Sequence, residues 1–180
     1  MQTTRGFTLI ELLVGLAIIA LLMGIGVPSY RYISNSSRIS SEINALLGDM
    51  QYARAEAIKE GQTVTVCSST TGTSCNTTGI TAWQGGWIVF SDSNNNGVVD
   101  TGEPILRKQA SFSGYDTFVS DNSVGFIKFN RDGFIAALPA TTVTLTLKPL
   151  NTPTSAWTRC LAVGVIGRLT VQQSGTGNCS

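Results

Sequence analysis

The sequence predicts an α+β protein in which one long N-terminal helix packs on an antiparallel β-sheet domain. Residues 7–27 form an apolar run, and beyond Pro28 apolar side chains recur at three- and four-residue steps, a pattern typical of a helix. From Gln62 onward apolar and polar residues alternate, which is typical of strands. We therefore expect a membrane-spanning helical segment at 7–28, an amphipathic helical segment at 29–61 and a β domain at 62–180.

The first helical segment is long enough to cross a bilayer and contains one ionisable residue, Glu11. A carboxylate at that depth is strongly unfavourable unless a cation neutralises it. Glu11 is therefore a candidate functional residue, and its natural partner is a cation that another chain supplies. The alternative is a protonated carboxyl group, or one that reaches polar surroundings near the end of the helix.

The second helical segment carries an apolar stripe on one side and polar residues elsewhere, so we expect it to cover the β domain. Gly61 is a favourable residue just beyond a helix C-terminus and Lys59 suits the last turn, so the helix is predicted to end there. The residues of the predicted stripe are Ile39, Ile43, Leu46, Leu47, Met50, Ala53, Ala57 and Ile58.

The β domain is predicted to contain a series of short strands, with a tight hairpin at Asn130-Arg131-Asp132-Gly133. Because one or two hairpins are unstable alone, we expect an antiparallel sheet, single or split in two, that packs on the apolar stripe of the helix. The predicted strands are residues 63–67, 83–90, 105–109, 118–119, 124–129, 134–136, 143–147, 160–165 and 169–172.

The composition of the 180-residue chain argues against an enzyme and against nucleic-acid binding through overall charge. The formal net charge is +1, so nucleic-acid binding requires a local patch of cations. The chain contains no His, which removes the usual general base and the commonest zinc ligand. We therefore expect no enzymatic activity.

Four cysteines, at positions 67, 75, 160 and 179, lie C-terminal to the membrane-spanning segment. Their spacing differs from that of CxxC motifs, and an even number in an exported domain favours two disulfides. Of the three possible pairings we expect Cys67–Cys75 and Cys160–Cys179. Each closes a loop rich in Ser, Thr, Gly and Asn that cannot order itself by burying apolar surface. The periplasm follows as the compartment.

The N-terminus carries the sequence RGFTLIEL at residues 5–12, followed by the apolar run. This combination resembles the class III signal of type IV prepilins and pseudopilins. The resemblance implies that residues 1–6 are a leader and that an inner-membrane prepilin peptidase cuts between Gly6 and Phe7 and methylates Phe7. It also implies that residues 7–28 pack in a filament core, where Glu11 pairs with the N-terminal amine of a neighbouring subunit.

Further segments are similar to the GspH/FimT family of minor pilins. They are residues 53–61, 63–67, 85–90 and 92–107, and the pair Gly167-Arg168. This resemblance implies a type IV pilin-like fold and a minor pilin that contributes to pilus assembly or priming and is presented at the filament. It implies an inner-membrane protein with one span and a periplasmic domain, which joins other pilins. The alternatives are an H-type minor pseudopilin of type II secretion and a DNA-binding minor pilin for natural transformation.

The segment 92–103 matches the calcium-loop pattern D-x-[DN]-x-[DN]-G-x5-E. Oxygen ligands at these spacings suit a hard cation of calcium size. An Asn/Gly turn that joins two strands explains the same composition, and the flanking segments are predicted strands rather than helices. The candidate ligands are Asp92, Asn94, Asn96, the Val98 carbonyl, Asp100 and Glu103.

A second candidate site consists of Lys148, Arg159 and Arg168, which lie on or beside the last predicted strands. If short connections gather them on one face, they form a patch for the phosphates of DNA, with weak and non-specific binding. Some members of the family that this chain resembles bind DNA through a C-terminal Gly-Arg-x-Arg motif. Gly167 and Arg168 match that motif, but Thr170 stands at the second Arg. The alternative is a set of solvated cations.

Overall fold

The N-terminal helix, α1, extends from Leu9 to Glu60 in a computed structural model that describes residues 6–112, 116–149 and 155–179. Thr8 caps its start, because the Thr8 Oγ1 atom accepts a hydrogen bond from the Glu11 amide at 3.3 Å. At its end, the Gly61 amide donates to the Ala57 carbonyl at 3.0 Å, and Gly61 has φ +69°. This left-handed conformation favours Gly and confirms the predicted helix end.

The chain divides into two compact units, one up to Arg38 and one from Ile39 onward. In the first unit, the large apolar side chains of the run from Phe7 to Val27 are exposed. Within the described part of the chain, α1 is the one helix long and apolar enough to cross a membrane, by length and composition.

The second unit contains the C-terminal part of α1 and two antiparallel sheets. The first sheet has the strand order β3-β2-β1-β5-β6, and the second sheet has the order β4-β7-β8-β9. The strands are β1 (Val64–Ser68), β2 (Gly86–Ser91), β3 (Ile105–Ala110), β4 (Thr117–Ser120), β5 (Phe126–Phe129), β6 (Ile135–Ala136), β7 (Thr142–Lys148), β8 (Arg159–Gly164) and β9 (Leu169–Gln173). The predicted fold class is confirmed, and the sheet is split in two.

Two strands begin at least two residues later than the alternation predicts. Trp83–Gly85 form a 3-10 turn, so β2 starts at Gly86 rather than at position 83. The strand predicted from position 124 starts at Phe126, because the Val124 carbonyl accepts the indole N–H of Trp83 at 3.1 Å instead of joining the ladder. Trp83 is fully buried, so its indole N–H needs an acceptor inside the domain.

One core fills the space between α1 and the two sheets. Six residues of the predicted stripe are fully buried in it: Ile39, Ile43, Leu46, Met50, Ala53 and Ala57. Val64 and Val66 of β1 face this core, whereas Cys67 belongs to a small apolar cluster with Ile88 and Phe90. The stripe prediction fails at Ile58, whose side chain is 53% exposed.

Candidate functional sites

The N-terminal site consists of Gly6 and Phe7, which precede α1, and Glu11, which lies in its first turn. The leader residues 1–5 lie outside the described residues. Thr8 and Glu11 have the spacing of a capping box, and the Glu11 carboxylate lies near the partial positive charge at the helix start. Glu11 is exposed in the single chain.

Both predicted disulfides are present in the structure, Cys67–Cys75 and Cys160–Cys179. Cys67 belongs to β1, so the first disulfide ties the polar loop that follows this strand back to the first sheet. Cys160 belongs to β8, so the second disulfide ties the C-terminal loop to the second sheet. No free cysteine is present among the residues that the structure describes.

The segment 92–103 is a loop between β2 and β3, and its first residue, Asp92, is fully buried. The Asp92 Oδ2 atom accepts hydrogen bonds from Thr65 Oγ1 at 2.7 Å and from the Gly97 amide at 3.0 Å. The Lys128 ammonium lies 3.6 Å from the same oxygen and donates to the Asn95 carbonyl at 2.7 Å. Thus the Lys128 ammonium, a cation of the protein itself, already lies beside Asp92, the most buried carboxylate of the loop.

The other two carboxylates of the loop accept hydrogen bonds within it. The Asn94 and Asn96 side-chain amides donate to Asp100, at 2.8 and 2.7 Å, and these bonds lower the pKa of Asp100. Slight burial acts to raise the pKa of Glu103, but hydrogen bonds from the amides of Asp100 and Ser93, and from the Ser93 hydroxyl, outweigh it and lower the pKa. Both groups are thus held as carboxylates.

These contacts bear on calcium binding by Asp92, Asn94, Asn96, Val98, Asp100 and Glu103. Among the described residues, no three acidic, His or Cys side chains are grouped closely enough to hold a metal ion. The loop as arranged fits the Lys128 ammonium better than a divalent cation, although the Asp92 Oδ1 atom is buried and has no hydrogen-bond partner among the described residues. Calcium binding stays a prediction.

The four residues proposed for DNA binding do not form one patch. Leu147 pairs with Arg159, so Lys148 and Arg159 lie at one end of the second sheet. The Gly164 amide donates to the Arg168 carbonyl, so Gly167 and Arg168 lie at the other end of β8. The two ends of β8 are five residue steps apart, which is roughly 17 Å. The prediction that these residues gather on one face is wrong. The strand register places Lys148 and Arg159 at one end of β8 and Arg168 at the other.

The sequence reasoning missed Arg54, which lies on α1 beside the turn that holds Gly167 and Arg168. The Arg54 Nη1 atom donates to the Gly167 carbonyl at 3.0 Å, across 113 positions of sequence. Helical periodicity assigns Arg54 to the flank of the buried stripe and carries no signal for this contact. Together with Arg168, it lines a groove of about 340 Å³.

Comparison with known proteins agrees with this architecture. The model of the family described as type II transport protein GspH matches residues 42–167, and that of the prokaryotic N-terminal methylation motif matches residues 1–27. Type II secretion system protein H of Pseudomonas aeruginosa is 39% identical over 62 residues, which are 34% of this chain and 36% of that protein. The chain thus matches about a third of the length of that relative.

Two crystal structures of the type IV minor pilin FimU of Pseudomonas aeruginosa share the fold. One has a TM-score of 0.58 at 21% identity and covers 83% of this chain and 98% of FimU. The other has a TM-score of 0.54 at 22% identity and covers 78% of this chain and 96% of FimU. These proteins are structural subunits, in agreement with the prediction that the chain is not an enzyme. Because the GspH model matches more than half of the chain, this protein belongs to the GspH family of minor pilins and pseudopilins.

Proposed function

We propose that this protein is a minor subunit of a type IV pilus that contributes to assembly of the filament. The observation that carries the proposal is α1. Its residues from Leu9 to Val27 expose an apolar surface long enough to cross a membrane, and its residues from Ile39 onward form one wall of a folded domain. Such a helix suits a subunit that is held in the membrane and then packs its apolar segment among other pilins.

Processing is the second part of the proposal. The peptidase removes residues 1–6 and the new N-terminus, Phe7, is methylated, as the N-terminal methylation motif supports. The Glu11 carboxylate then pairs with the N-terminal amine of a neighbouring subunit. The exposure of Glu11 in the first turn of α1 supports this role, because none of the described residues of its own chain neutralises the carboxylate.

Mass spectrometry of the protein purified from membranes tests the processing. We expect a mature N-terminus at Phe7 that carries one methyl group. A mature protein that begins at Met1 or at any residue other than Phe7 contradicts the proposal.

Variants of Glu11 test its pairing. Glu11→Val and Glu11→Gln should insert into the membrane normally but enter filaments at much lower levels, because neither side chain carries a negative charge. Thr8→Ala is the control, since it removes the cap of α1 and keeps the carboxylate. Incorporation of Glu11→Gln at the wild-type level contradicts the pairing.

The second candidate function is that of an H-type pseudopilin in a type II secretion filament. The family description and the relative named Type II secretion system protein H favour it. The extent of the structural likeness to FimU supports the pilus as our first choice. A deletion strain separates the two, because the pilus function predicts fewer surface pili with normal protein secretion. Normal piliation with a secretion defect favours the pseudopilin.

A further inference from the structure

Two turns of the β domain meet α1 at one point of the surface. The turn at Gly133 and the turn at Gly167 approach so closely that a Cβ atom on Gly167 would overlap the Gly133 carbonyl oxygen. Arg54 of α1 bridges to the Gly167 carbonyl at this junction. The groove beside it, which we name the Arg54 groove, is lined by Gln51, Arg54, Ala55, Ile58, Gly167, Arg168 and Leu169.

Among the described residues, the lining of the Arg54 groove includes two guanidiniums and no acidic side chain, so the groove is positively charged. Arg168 is exposed, and its guanidinium has no hydrogen-bond or ion-pair partner among the described residues. Arg54 uses Nη1 for the Gly167 carbonyl, which leaves most of its five N–H donors for another acceptor. Of the carboxylates at the end of α1, Glu56 pairs with Lys59 and Glu60 bonds to Gln62 and Ser91. The two guanidiniums therefore lack a counter-charge in the groove.

Three large exposed apolar residues line the Arg54 groove or neighbour in sequence the two glycines of the junction. Ile58, which lines the groove, is 53% exposed, although it belongs to a helical stripe of which six other residues are fully buried. Ile166 precedes Gly167 and is 61% exposed, and Phe134 follows Gly133 and is 49% exposed. Exposed large apolar side chains near a cationic groove are typical of a protein–protein contact.

We propose that the Arg54 groove binds a neighbouring subunit of the filament, through a segment that presents an Asp or Glu carboxylate next to an apolar side chain. The carboxylate accepts hydrogen bonds from Arg54 and Arg168, whose planar guanidiniums suit bidentate pairing. The apolar side chain packs on Ile58 and its exposed neighbours. This inference rests on the proposed function, because it requires a filament.

Charge complementarity favours a protein carboxylate over nucleic acid. A duplex needs a row of cations along its backbone, but Lys148 and Arg159 lie at the opposite end of β8 from Arg168. A groove of about 340 Å³ holds one or two side chains. A phosphate would not bury the apolar side chain of Ile58, whereas an apolar side chain of a protein partner would bury it.

The test is a charge reversal in assembled filaments. Arg168→Glu places a carboxylate in the groove and should reduce incorporation roughly tenfold, because like charges replace an ion pair at a contact. Lys108→Glu is the matched control, since Lys108 is an exposed cation on β3 that does not line the groove. Both variants keep buried side chains unchanged, and their melting temperatures establish that the full chain in detergent is folded.

A photo-crosslinking residue at Gln51 identifies the neighbour in intact pili. We expect a crosslink to a segment with Asp or Glu beside an apolar residue, and Lys or Arg at that acidic position should restore incorporation of Arg168→Glu. Three outcomes would each overturn this inference and leave the proposed function in place. They are incorporation of Arg168→Glu at the wild-type level, a crosslink to a segment without a carboxylate, and no crosslink. A 30-bp duplex that binds the wild type and not Arg168→Glu in a gel shift, with no rescue by the partner variant, also overturns it. Absence of the wild type and Lys108→Glu from filaments overturns the proposed function itself.

Discussion

Asp49 of α1 accepts a hydrogen bond from the indole Nε1 of Trp87 in β2, at 2.8 Å. Its other oxygen accepts a hydrogen bond from Arg107 Nη1 at 3.0 Å, and the Arg107 guanidinium lies 3.8 Å from the centroid of the Tyr52 ring. Trp87 is fully buried, so its N–H has no access to water. Asp49 thus satisfies a core tryptophan and joins the helix to the first sheet.

Asp49→Ala should therefore lower the free energy of unfolding by about 1–3 kcal/mol, because it leaves the buried Trp87 N–H without an acceptor. Arg107→Ala should have the smaller effect, about 1 kcal/mol or less, since its side chain is half exposed. Urea unfolding of both variants measures the difference. Equal losses in the two variants contradict the role assigned to the Trp87 bond.

Loss of the two disulfides should have separate local effects. Cys67→Ala with Cys75→Ala should increase hydrogen exchange in residues 68–81, whereas Cys160→Ala with Cys179→Ala should increase it in residues 174–179. Each loss should lower the free energy of unfolding by about 2–4 kcal/mol, because each disulfide restricts the unfolded chain. Hydrogen-exchange mass spectrometry checks the location, and increased exchange in the wrong loop refutes the prediction.

Gly167→Ala should destabilise the domain more than Gly175→Ala. Both glycines have positive φ, +77° and +82°, so both substitutions strain the backbone by about 1–2 kcal/mol. A Cβ atom at 167 would also overlap the Gly133 carbonyl oxygen, whereas a Cβ atom at 175 meets nothing within 4 Å. Thermal unfolding compares the two, and equal melting temperatures refute the close contact of the turns.

Lys128→Met should destabilise the domain by about 3–5 kcal/mol, because it leaves the buried Asp92 carboxylate without its cation. If the loop 92–103 binds calcium as predicted, calcium should raise the melting temperature of this variant more than that of the wild type, because the Lys128 ammonium and calcium would then compete for Asp92. Magnesium at the same concentration is the control. An equal calcium response in the two proteins contradicts this competition.

The loop 92–103 should open in acid. Hydrogen bonds lower the pKa of Asp100 and Glu103 below the ordinary values of 3.8 and 4.5. A carboxylate with a lowered pKa in the folded state stabilises that state above its unfolded pKa, and this stabilisation is lost as the pH falls through the folded pKa. Below about pH 4, the amides of the loop should therefore lose protection, which is measured as their exchange rate relative to the intrinsic rate at the same pH. Asp100→Asn should reduce the pH dependence of this protection. The same pH dependence in Asp100→Asn and the wild type contradicts the prediction.

Local patterns account for the predictions that agree with the structure. The end of α1 at Gly61 follows from residues within one helical turn, and the hairpin at 130–133 follows from a tetrapeptide that supplies a positive φ at Gly133. The disulfides Cys67–Cys75 and Cys160–Cys179 close short rings, with separations of 8 and 19 residues, which composition alone made plausible. In each case neighbours in sequence supply the interacting groups.

The amino-acid sequence by itself determined α1, the alternation that forms the strands, and the N-terminal motif around Glu11, because hydrophobic periodicity and capping act over a few residues. Only the tertiary structure decided that Arg168 lies far from Arg159, that Arg54 reaches Gly167, and that Lys128 faces Asp92. Strand register and the packing of α1 on the sheets set these contacts. They join segments that are distant in the chain, and no local pattern records which distant residues will meet.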